Sequence, residues 1–274
     1  MESYGLQKKR DALVSCLKEM DSLLIAFSGG VDSTLLLSVA REVLGKRILA
    51  VTAGSIIHRK RDIKRASDFC GELGIRHLIV EPGEMKVDAF LRNGEDRCFQ
   101  CKKILFRILV KIAHENAIDS LAHGANYDDL NDYRPGFRAA QEAGVAAPMV
   151  DVRLTKQEIR EISRQMHLTT SELPSSPCLA TRIPYGSPIT EEKLVMIDKA
   201  EEFLEKQGFS APRVRHHGSV ARIEVMRNEI GCLLDKNKRG LICEKIKGIG
   251  FDHVSVDLEG YISGKMNRSV KVGV

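Results

Sequence analysis

The sequence predicts an α/β fold: a parallel sheet covered by helices on both faces, followed by a smaller C-terminal α/β domain. Short apolar, β-rich runs alternate with helical stretches through the first half of the chain, and a glycine pair directly follows the first run. The hydrophobic fraction of 43% is enough for a substantial core. Strands separated by helices of this length form βαβ units, whose strands are parallel and buried on both faces.

Four strands are predicted in the first half, at Ser22–Phe27, Arg47–Thr52, Ile75–Val80 and within Ala117–His123. The helices between them are predicted for Val31–Leu44, Arg59–Leu73 and Arg97–Asn116. Ligands of parallel sheets bind at the carboxyl ends of the strands. Candidate site residues are therefore those that follow each strand.

The second half begins with a polar loop, NYDDLNDYRPG, and a helix over Leu154–Met166, for which Thr155 and Glu158 form a capping box. Residues 171–188 hold four of the eight prolines and predict a loop or domain junction. We expect one domain over residues 1–184 and a second over 185–274. The second is predicted as helix Thr190–Gln207, strand Val214–Met226, helix Glu229–Lys247 and strand His253–Leu258.

Composition narrows the function classes. The chain has 274 residues and a net charge of +5, spread over small clusters without the aromatic residues that single-strand binders use for stacking, so no nucleic-acid partner is expected. Its apolar runs are far short of the roughly 20 residues needed to cross a bilayer, and no secretion signal is recognisable. We therefore expect a cytoplasmic protein without a membrane partner. Seven cysteines, an odd number, argue against a disulfide framework.

The segment SGGVDS lies between the first strand and the first helix and has the composition of an anion-binding loop. Two glycines allow a tight turn, and the following helix offers free amides and a positive dipole end. Serine hydroxyls add donors, and an aspartate at this place suits Mg²⁺ bound to phosphate oxygens. The residues concerned are Ser28, Gly29, Gly30, Asp32 and Ser33.

This loop resembles that of the PP-loop ATP pyrophosphatase superfamily, whose fold is Rossmann-like. It lacks the GxxxxGK[ST] pattern of kinases that transfer a γ-phosphate. The resemblance implies that ATP is cleaved between its α- and β-phosphates and that the substrate oxygen becomes adenylated. It further implies that Thr52 and Ala53 hold the adenine, and that the loop containing Gly124 and Asn126 closes over the nucleotide.

Three cysteines stand out. Cys98 and Cys101 form a CxxC pair near the start of a helix, and Cys178 lies in the proline-rich loop beside Arg182. No second CxxC or HxxxH completes a zinc site. Three thiolates suit a 4Fe-4S cluster with one iron open to another ligand. The alternatives are a redox role for the CxxC pair and an inert thiol at Cys178. The other four cysteines, Cys16, Cys70, Cys232 and Cys243, fit buried positions.

The wider pattern is more specific. SGGVDS, EDRCFQCKKILF, GANYDDLNDYRPG, SSPCLATRIPYG and PRVRHHGSVARIEV together resemble the LarE-type sulfur transferase family, from about Leu23 to Gly264. Members thiolate pyridinium-3,5-biscarboxylic acid mononucleotide during synthesis of the nickel-pincer nucleotide cofactor of lactate racemase. The resemblance implies adenylation of a carboxylate, displacement of AMP by sulfur, and a hexameric homo-oligomer.

The family has two sulfur sources. Some members sacrifice the sulfur of the cysteine matching Cys178, which leaves dehydroalanine. Others carry three site cysteines and resemble cluster binders that pass on a sulfide from the open iron. Because this chain has all three, the cluster-dependent version is favoured, with a sulfide donor or a cysteine desulfurase as a partner.

Charged residues of the C-terminal region complete the predicted site. Arg213 and Arg215 alternate on a predicted strand, so their guanidinium groups share a face and suit phosphate binding. Arg182 is expected to contact the nucleotide or substrate. Glu201 and Glu224 are candidate metal ligands, with an arginine pair as the alternative for Glu224.

Other function classes remain open at this point. A tRNA thiolase would need an added RNA-binding module or zinc-binding cysteines, and a glutamine-dependent amide synthetase would need an amidase domain. Neither addition is recognisable in the sequence. A non-enzymatic nucleotide-binding or sulfur-carrier protein is the third alternative, which retained ATP binding without pyrophosphate release would identify.

Overall fold

The chain forms two units of unequal size. In the computed structural model, residues 2–131, 135–262 and 264–266 are described. By their internal contacts, Met1–Lys86 and Asp96–Ser176 form the first unit, and Val87–Glu95 and Pro177–Val274 form the second. The domain limit after residue 184 stays a prediction, and the contacts group residues 177–184 with the second unit. Residues 132–134 of the polar loop lie outside the described part.

The first unit contains a four-stranded parallel sheet, which confirms the predicted fold class. Its strands are β1 (Leu23–Ala26), β2 (Ile48–Ala53), β3 (Arg76–Val80) and β4 (Ser120–His123), in the order β3-β2-β1-β4. Leu23 of β1 lies opposite both Ile48 and Ser120. Since β1 has β2 on one side and β4 on the other, the strand order reverses at β1, where ligands of such sheets bind.

The helices, in chain order, are α1 (Glu2–Lys18), α2 (Val31–Leu44), α3 (Lys60–Glu72), α4 (Asp88–Leu91), α5 (Arg97–Glu115), α6 (Pro135–Glu142), α7 (Pro148–Asp151), α8 (Lys156–Gln165), α9 (Glu191–Lys206), α10 (Ile230–Leu234) and α11 (Lys236–Ile249). The bounds of α2 and the capping box of α8 are as predicted, whereas α1, α4, α6 and α7 were not anticipated. Within the described residues, no helix has the length and apolar character of a membrane span.

Two apolar cores flank the parallel sheet because alternate residues of each strand point to opposite faces. On one face, Leu23 and Ile25 pack with residues of α1, α2 and α8. On the other face, Leu24 packs with Phe106 and Leu109 of α5 and with residues of α6. Burial on both faces explains why β1 and β2 are almost continuously apolar, whereas the edge strand β3 is largely exposed.

The second unit contains a three-stranded sheet of β5 (Arg213–His217), β6 (Val220–Glu224) and β7 (His253–Val256). The prediction of one strand over Val214–Met226 is wrong. Gly218 has a φ of +64°, which turns the chain into an antiparallel β5–β6 hairpin. The prediction of one helix over Glu229–Lys247 is also wrong, because Asp235 accepts hydrogen bonds from two amides and starts α11 as a separate helix.

The segment Val87–Glu95 belongs to the second unit through a buried asparagine. The Asn93 side chain donates hydrogen bonds of 2.8 Å to the carbonyl groups of both Pro184 and Ser187. The backbone carbonyl of Asn93 accepts from the Gly186 amide at 2.9 Å. These bonds fix the end of the proline-rich loop, which contains Cys178 earlier in its course.

Candidate functional site

The predicted phosphate loop forms a tight turn between β1 and α2. Gly29 has a φ of +68°, and a side chain there would place its Cβ 3.1 Å from the Cβ of Ala66 on α3. Gly30 is the N-cap of α2 and has no side chain that could accept from the first amides of the helix. The first amides of α2 therefore remain available, and with the positive end of the helix dipole they suit an oxyanion.

The two serines of the loop hold each other. Ser28 Oγ lies 3.0 Å from Ser33 Oγ, and the Ser28 amide donates to Ser33 Oγ at 3.3 Å. The Ser33 hydroxyl also lies 3.2 Å from the carbonyl oxygen of Gly30. The loop is thereby pre-organised without a ligand, which lowers the entropy cost of binding one.

Gly124 allows the end of β4 to approach the loop closely. A Cβ at this position would lie 2.8 Å from the backbone nitrogen of Ser33 and 2.9 Å from its Cα. Only glycine fits there without moving backbone atoms. The loops that follow β1 and β4 therefore meet at the reversal of strand order, where sheets of this kind bind their ligands.

Asp32 has two partners, one of which the sequence reasoning missed. Asn126 donates its side-chain amide to Asp32 Oδ1 at 3.3 Å, and the Lys156 ammonium forms an ion pair with Oδ2. Asp128 accepts the Lys156 amide at 2.8 Å, which ties the loop after β4 to the start of α8. Lys156 lies in the first turn of α8, where a positive charge opposes the helix dipole. This unfavourable placement is the sequence feature that could have identified Lys156 as a functional residue. Asp32 also offers carboxylate oxygens of the kind Mg²⁺ prefers.

Thr52 is buried, and its side chain has a structural role. Its hydroxyl donates to the Phe27 carbonyl at 2.8 Å and lies 2.8 Å from His77 Nε2. The bond joins the end of β2 to the residue that follows β1. A role of Thr52 and Ala53 in holding adenine stays a prediction.

Cys98 and Cys101 lie one turn apart at the start of α5, in the first unit, and both are partly buried. The Arg97 guanidinium lies 4.0 Å from Cys98 Sγ, so a positive charge is adjacent to this thiol. Two sulfurs three residues apart on a helix suit a soft metal ion. Across the ranges that the structure describes, no group of three His, Cys, Asp or Glu side chains is placed to hold a metal ion.

The other four cysteines differ in environment. Cys70 is fully buried, and burial raises the pKa of its thiol to about 12, which fits the predicted core position. Cys16 and Cys243 are partly buried, and Cys232 is exposed, so the prediction of a buried position is wrong for Cys232.

The Cys178 loop, in the second unit, is held by its backbone. The Cys178 carbonyl accepts hydrogen bonds from the Thr181 amide at 3.0 Å, the Thr181 hydroxyl at 2.8 Å and Arg182 Nη1 at 3.2 Å. Arg182 Nη1 also donates to the Pro177 carbonyl at 2.8 Å. Three donors on one carbonyl fix the backbone from which the Cys178 side chain projects.

Arg182 and Glu201 are a buried pair, which corrects two expectations. Arg182 Nε and Nη2 donate to the Glu201 carboxylate at 2.8 and 3.1 Å, and both side chains are 0% exposed. Burial acts to lower the pKa of Arg182, but Glu201 and then the Cys178 thiolate raise it above its usual value. As observed, Arg182 holds the loop and is not open to a nucleotide, and Glu201 neutralises an arginine and is not open to a metal.

Arg213 and Arg215 lie on the same face of β5, as their spacing indicates. The Arg215 guanidinium, however, is bonded to other groups of the protein. Arg215 donates to Glu224 Oε2 at 2.6 Å and to the Thr181 carbonyl at 3.0 Å. Arg213 is 1% exposed and lies 5.0 Å from the ring centre of Tyr261. Glu224 also pairs with Arg222 at 3.1 Å, so its observed role is the arginine-pairing alternative.

Comparison with known proteins adds a family assignment to this geometry. A family model described as a PP-loop domain matches residues 4–133. The pyridinium-3,5-bisthiocarboxylic acid mononucleotide synthase of Lactiplantibacillus plantarum is 33% identical over 266 residues, covering 97% of this chain and 96% of the relative. Uncharacterised proteins of Synechocystis sp. and Methanocaldococcus jannaschii are 38% and 30% identical, and cover 96% and 93% of this chain and 98% of each relative.

Proposed function

This chain belongs to the PP-loop family of LarE-type ATP-dependent sulfur transferases, and we propose that it thiolates pyridinium-3,5-biscarboxylic acid mononucleotide. The full-length similarity to the L. plantarum synthase is the observation that carries this proposal. The pre-organised loop of the first unit and the fixed Cys178 loop of the second support it. The proposed cofactors are ATP and Mg²⁺.

The first step would activate the substrate. A carboxylate oxygen attacks the α-phosphorus of ATP, the bond to the bridging β-phosphate oxygen breaks, and pyrophosphate leaves. Loop amides and the hydroxyls of Ser28 and Ser33 would hold the pyrophosphate oxygens. Asp32 would hold Mg²⁺, which would supply positive charge to the phosphates, and Lys156 beside it would supply a second positive charge. The product is an acyl adenylate.

The second step would introduce sulfur. A sulfur nucleophile attacks the acyl carbon, and AMP leaves with the electron pair of the acyl–oxygen bond. If the sulfur is that of Cys178, a thioester links protein and substrate. Removal of the Cys178 α-proton by a base then breaks the Cβ–S bond, which gives the thiocarboxylate and leaves dehydroalanine. Each chain could then act once.

The alternative that the three cysteines favour lets each chain act repeatedly. Cys98, Cys101 and Cys178 would ligate a 4Fe-4S cluster, which would supply an exogenous sulfide for transfer. Thiol donors are the chemically suitable ligands, and a sulfide donor or cysteine desulfurase would replenish the sulfur. A homo-oligomer, by resemblance a hexamer, is part of the same proposal.

Anaerobic purification followed by iron and sulfide quantitation tests the sulfur source. About four irons per chain, lost when any one of the three cysteines is replaced by alanine, would support the cluster. No iron, together with loss of the elements of H₂S from Cys178 after ATP and substrate are added, would identify the sacrificial route. If neither iron nor this mass loss were found, the proposed sulfur transfer would be contradicted.

A further inference from the structure

A cavity of about 270 Å³ lies beside the phosphate loop in the first unit. One wall is a face of α3, and the other walls come from Gly29, Thr34 on α2 and the segment after α8 that contains Thr169 and Thr170. It lies against α3, whereas Asp32 is turned towards Asn126 and Lys156. The reaction proposed above makes no use of it.

Two buried hydroxyls that line this cavity have no protein partner. Thr34 is 0% exposed and Thr170 is 1% exposed, and neither Oγ1 makes a hydrogen bond to any residue in the described ranges. A buried hydroxyl without a partner destabilises a fold, and such groups are rare in folded proteins. Neighbouring atoms cover both oxygens, so a polar ligand in the cavity would reach them after a small shift of the lining and would then remove this cost.

The cavity lining carries more positive than negative charge. Arg61, Lys64 and Arg65 contribute three cations, whereas Asp68 and Glu72 contribute two exposed carboxylates nearer the carboxyl end of α3. Asp68 is already paired with Lys64 at 2.6 Å. Arg61 and Arg65 are the partly buried charged residues of the lining, and guanidinium and hydroxyl donors together favour an oxyanion.

The cavity wall is held in place before any ligand binds. Arg65 Nε donates to the Gly29 carbonyl at 3.3 Å, and Arg65 Nη2 pairs with Asp62 at 2.6 Å. The Ser176 hydroxyl donates to the other Asp62 oxygen at 2.6 Å, which ties α3 to the segment that follows Thr170. Donors fixed in this way lose little entropy on binding.

We propose that this cavity is a second oxyanion site, which binds inorganic phosphate or pyrophosphate while a nucleotide occupies the phosphate loop. Its volume accommodates either anion together with bound water, at about 30 Å³ per water. The identification of pyrophosphate as a natural occupant rests on the proposed adenylation, which would release it at the adjacent loop. Binding of phosphate to the cavity does not depend on that reaction.

Calorimetric titration of the full chain tests this site. The loop is first saturated with Mg²⁺ and α,β-methylene-ATP, which cannot be cleaved between its α- and β-phosphates, and pyrophosphate or phosphate is then titrated. One further equivalent of anion is expected to bind. Thr34→Val and Thr170→Val, which keep the side-chain shape, should each weaken anion binding by about tenfold through loss of a buried donor. If pyrophosphate binds more tightly than phosphate, the occupant is the pyrophosphate released by adenylation. If the two anions bind equally tightly, the occupant is inorganic phosphate.

Controls separate this proposal from the proposed function. Thr170→Val should retain the thermal stability and nucleotide affinity of the unmodified chain. Arg61→Gln should weaken anion binding, whereas Arg107→Gln, an exposed change on α5, should not. Absence of any anion binding beyond the nucleotide, or binding unaffected by both valine variants, would overturn the site. Failure of α,β-methylene-ATP to bind would instead count against the proposed function, and titration without nucleotide would still test the cavity.

Discussion

Arg182 and Glu201 form a fully buried ion pair joined by two hydrogen bonds, and the remaining Arg182 nitrogen holds the carbonyl groups of Pro177 and Cys178. The Val214 amide donates to the same carboxylate at 3.0 Å, so α9, β5 and the Cys178 loop meet at Glu201. A pair that is wholly removed from water stabilises a fold only when its polar atoms are satisfied, as they are here. We infer that this pair fixes the position of the Cys178 backbone.

Replacing Glu201 by alanine should therefore destabilise the second unit. The change leaves the Arg182 charge buried without its counter-ion, which costs about 3–5 kcal/mol. Urea unfolding measures the loss. Glu202→Ala is the matched control, because its ion pair with Lys206 on the same helix is exposed and contributes less than about 1 kcal/mol. Equal unfolding midpoints for the two variants would contradict the role assigned to Glu201.

Lys156→Met should slow pyrophosphate release by about a hundredfold, since removal of one fixed charge from a developing phosphate anion has this order of effect. The same variant leaves Asp32 with the Asn126 amide as its partner, so we expect the chain to remain folded. A coupled pyrophosphate assay measures the rate. Lys206→Met removes an exposed lysine and should have no effect. A Lys156→Met rate within twofold of the unmodified rate would show that Lys156 does not act on the phosphates.

Gly124→Ala should weaken ATP binding by at least about tenfold, because the new methyl group would collide with Ser33 backbone atoms and displace the loop. Fluorescence titration with a labelled nucleotide measures the affinity. Gly71→Ala on α3 meets no atom within 4 Å and is the control. Unchanged affinity in Gly124→Ala would mean that the two loops do not bind nucleotide together.

Two buried histidines should make stability depend on pH. Burial, reinforced by the nearby Lys102 charge, lowers the pKa values of His58 and His123 to about 4. Both rings are neutral in the folded state but take up a proton near pH 6.5 when unfolded, so stability falls as pH drops from about 6.5 to 4. Between pH 7 and 5 the loss is about 1–2 kcal/mol per histidine.

His123→Gln should remove one histidine's share of this loss. Urea midpoints measured at pH 7 and pH 5 give the comparison, and His253→Gln, which changes an exposed histidine, is the control. An undiminished pH dependence in His123→Gln would show that its ring already carries the proton in the folded state.

Local sequence features predicted the phosphate loop and the bounds of α2 because glycines, caps and apolar spacing act over a few residues. The hairpin at Gly218 was missed because the alternation of inward-facing and outward-facing residues, which is typical of a strand, continues on both sides of the turn. The roles of Lys156 and Arg182 depend on partners 124 and 19 residues away, respectively, which no local pattern reveals. For the same reason Glu201 and Glu224 resembled metal ligands, although tertiary packing pairs them with arginines.

The most direct test of the account is one assay of sulfur transfer with Mg²⁺-ATP, the biscarboxylic acid mononucleotide and a sulfide source. We expect AMP, pyrophosphate and a product in which sulfur replaces carboxylate oxygen, detected by mass spectrometry. Cys178→Ala should abolish the thiolated product. It should retain nucleotide binding, because the phosphate loop lies in the first unit and Cys178 in the second. Thiolated product from Cys178→Ala at the unmodified rate would contradict the assignment of Cys178, and ATP cleavage without sulfur entering the substrate would contradict the proposed function.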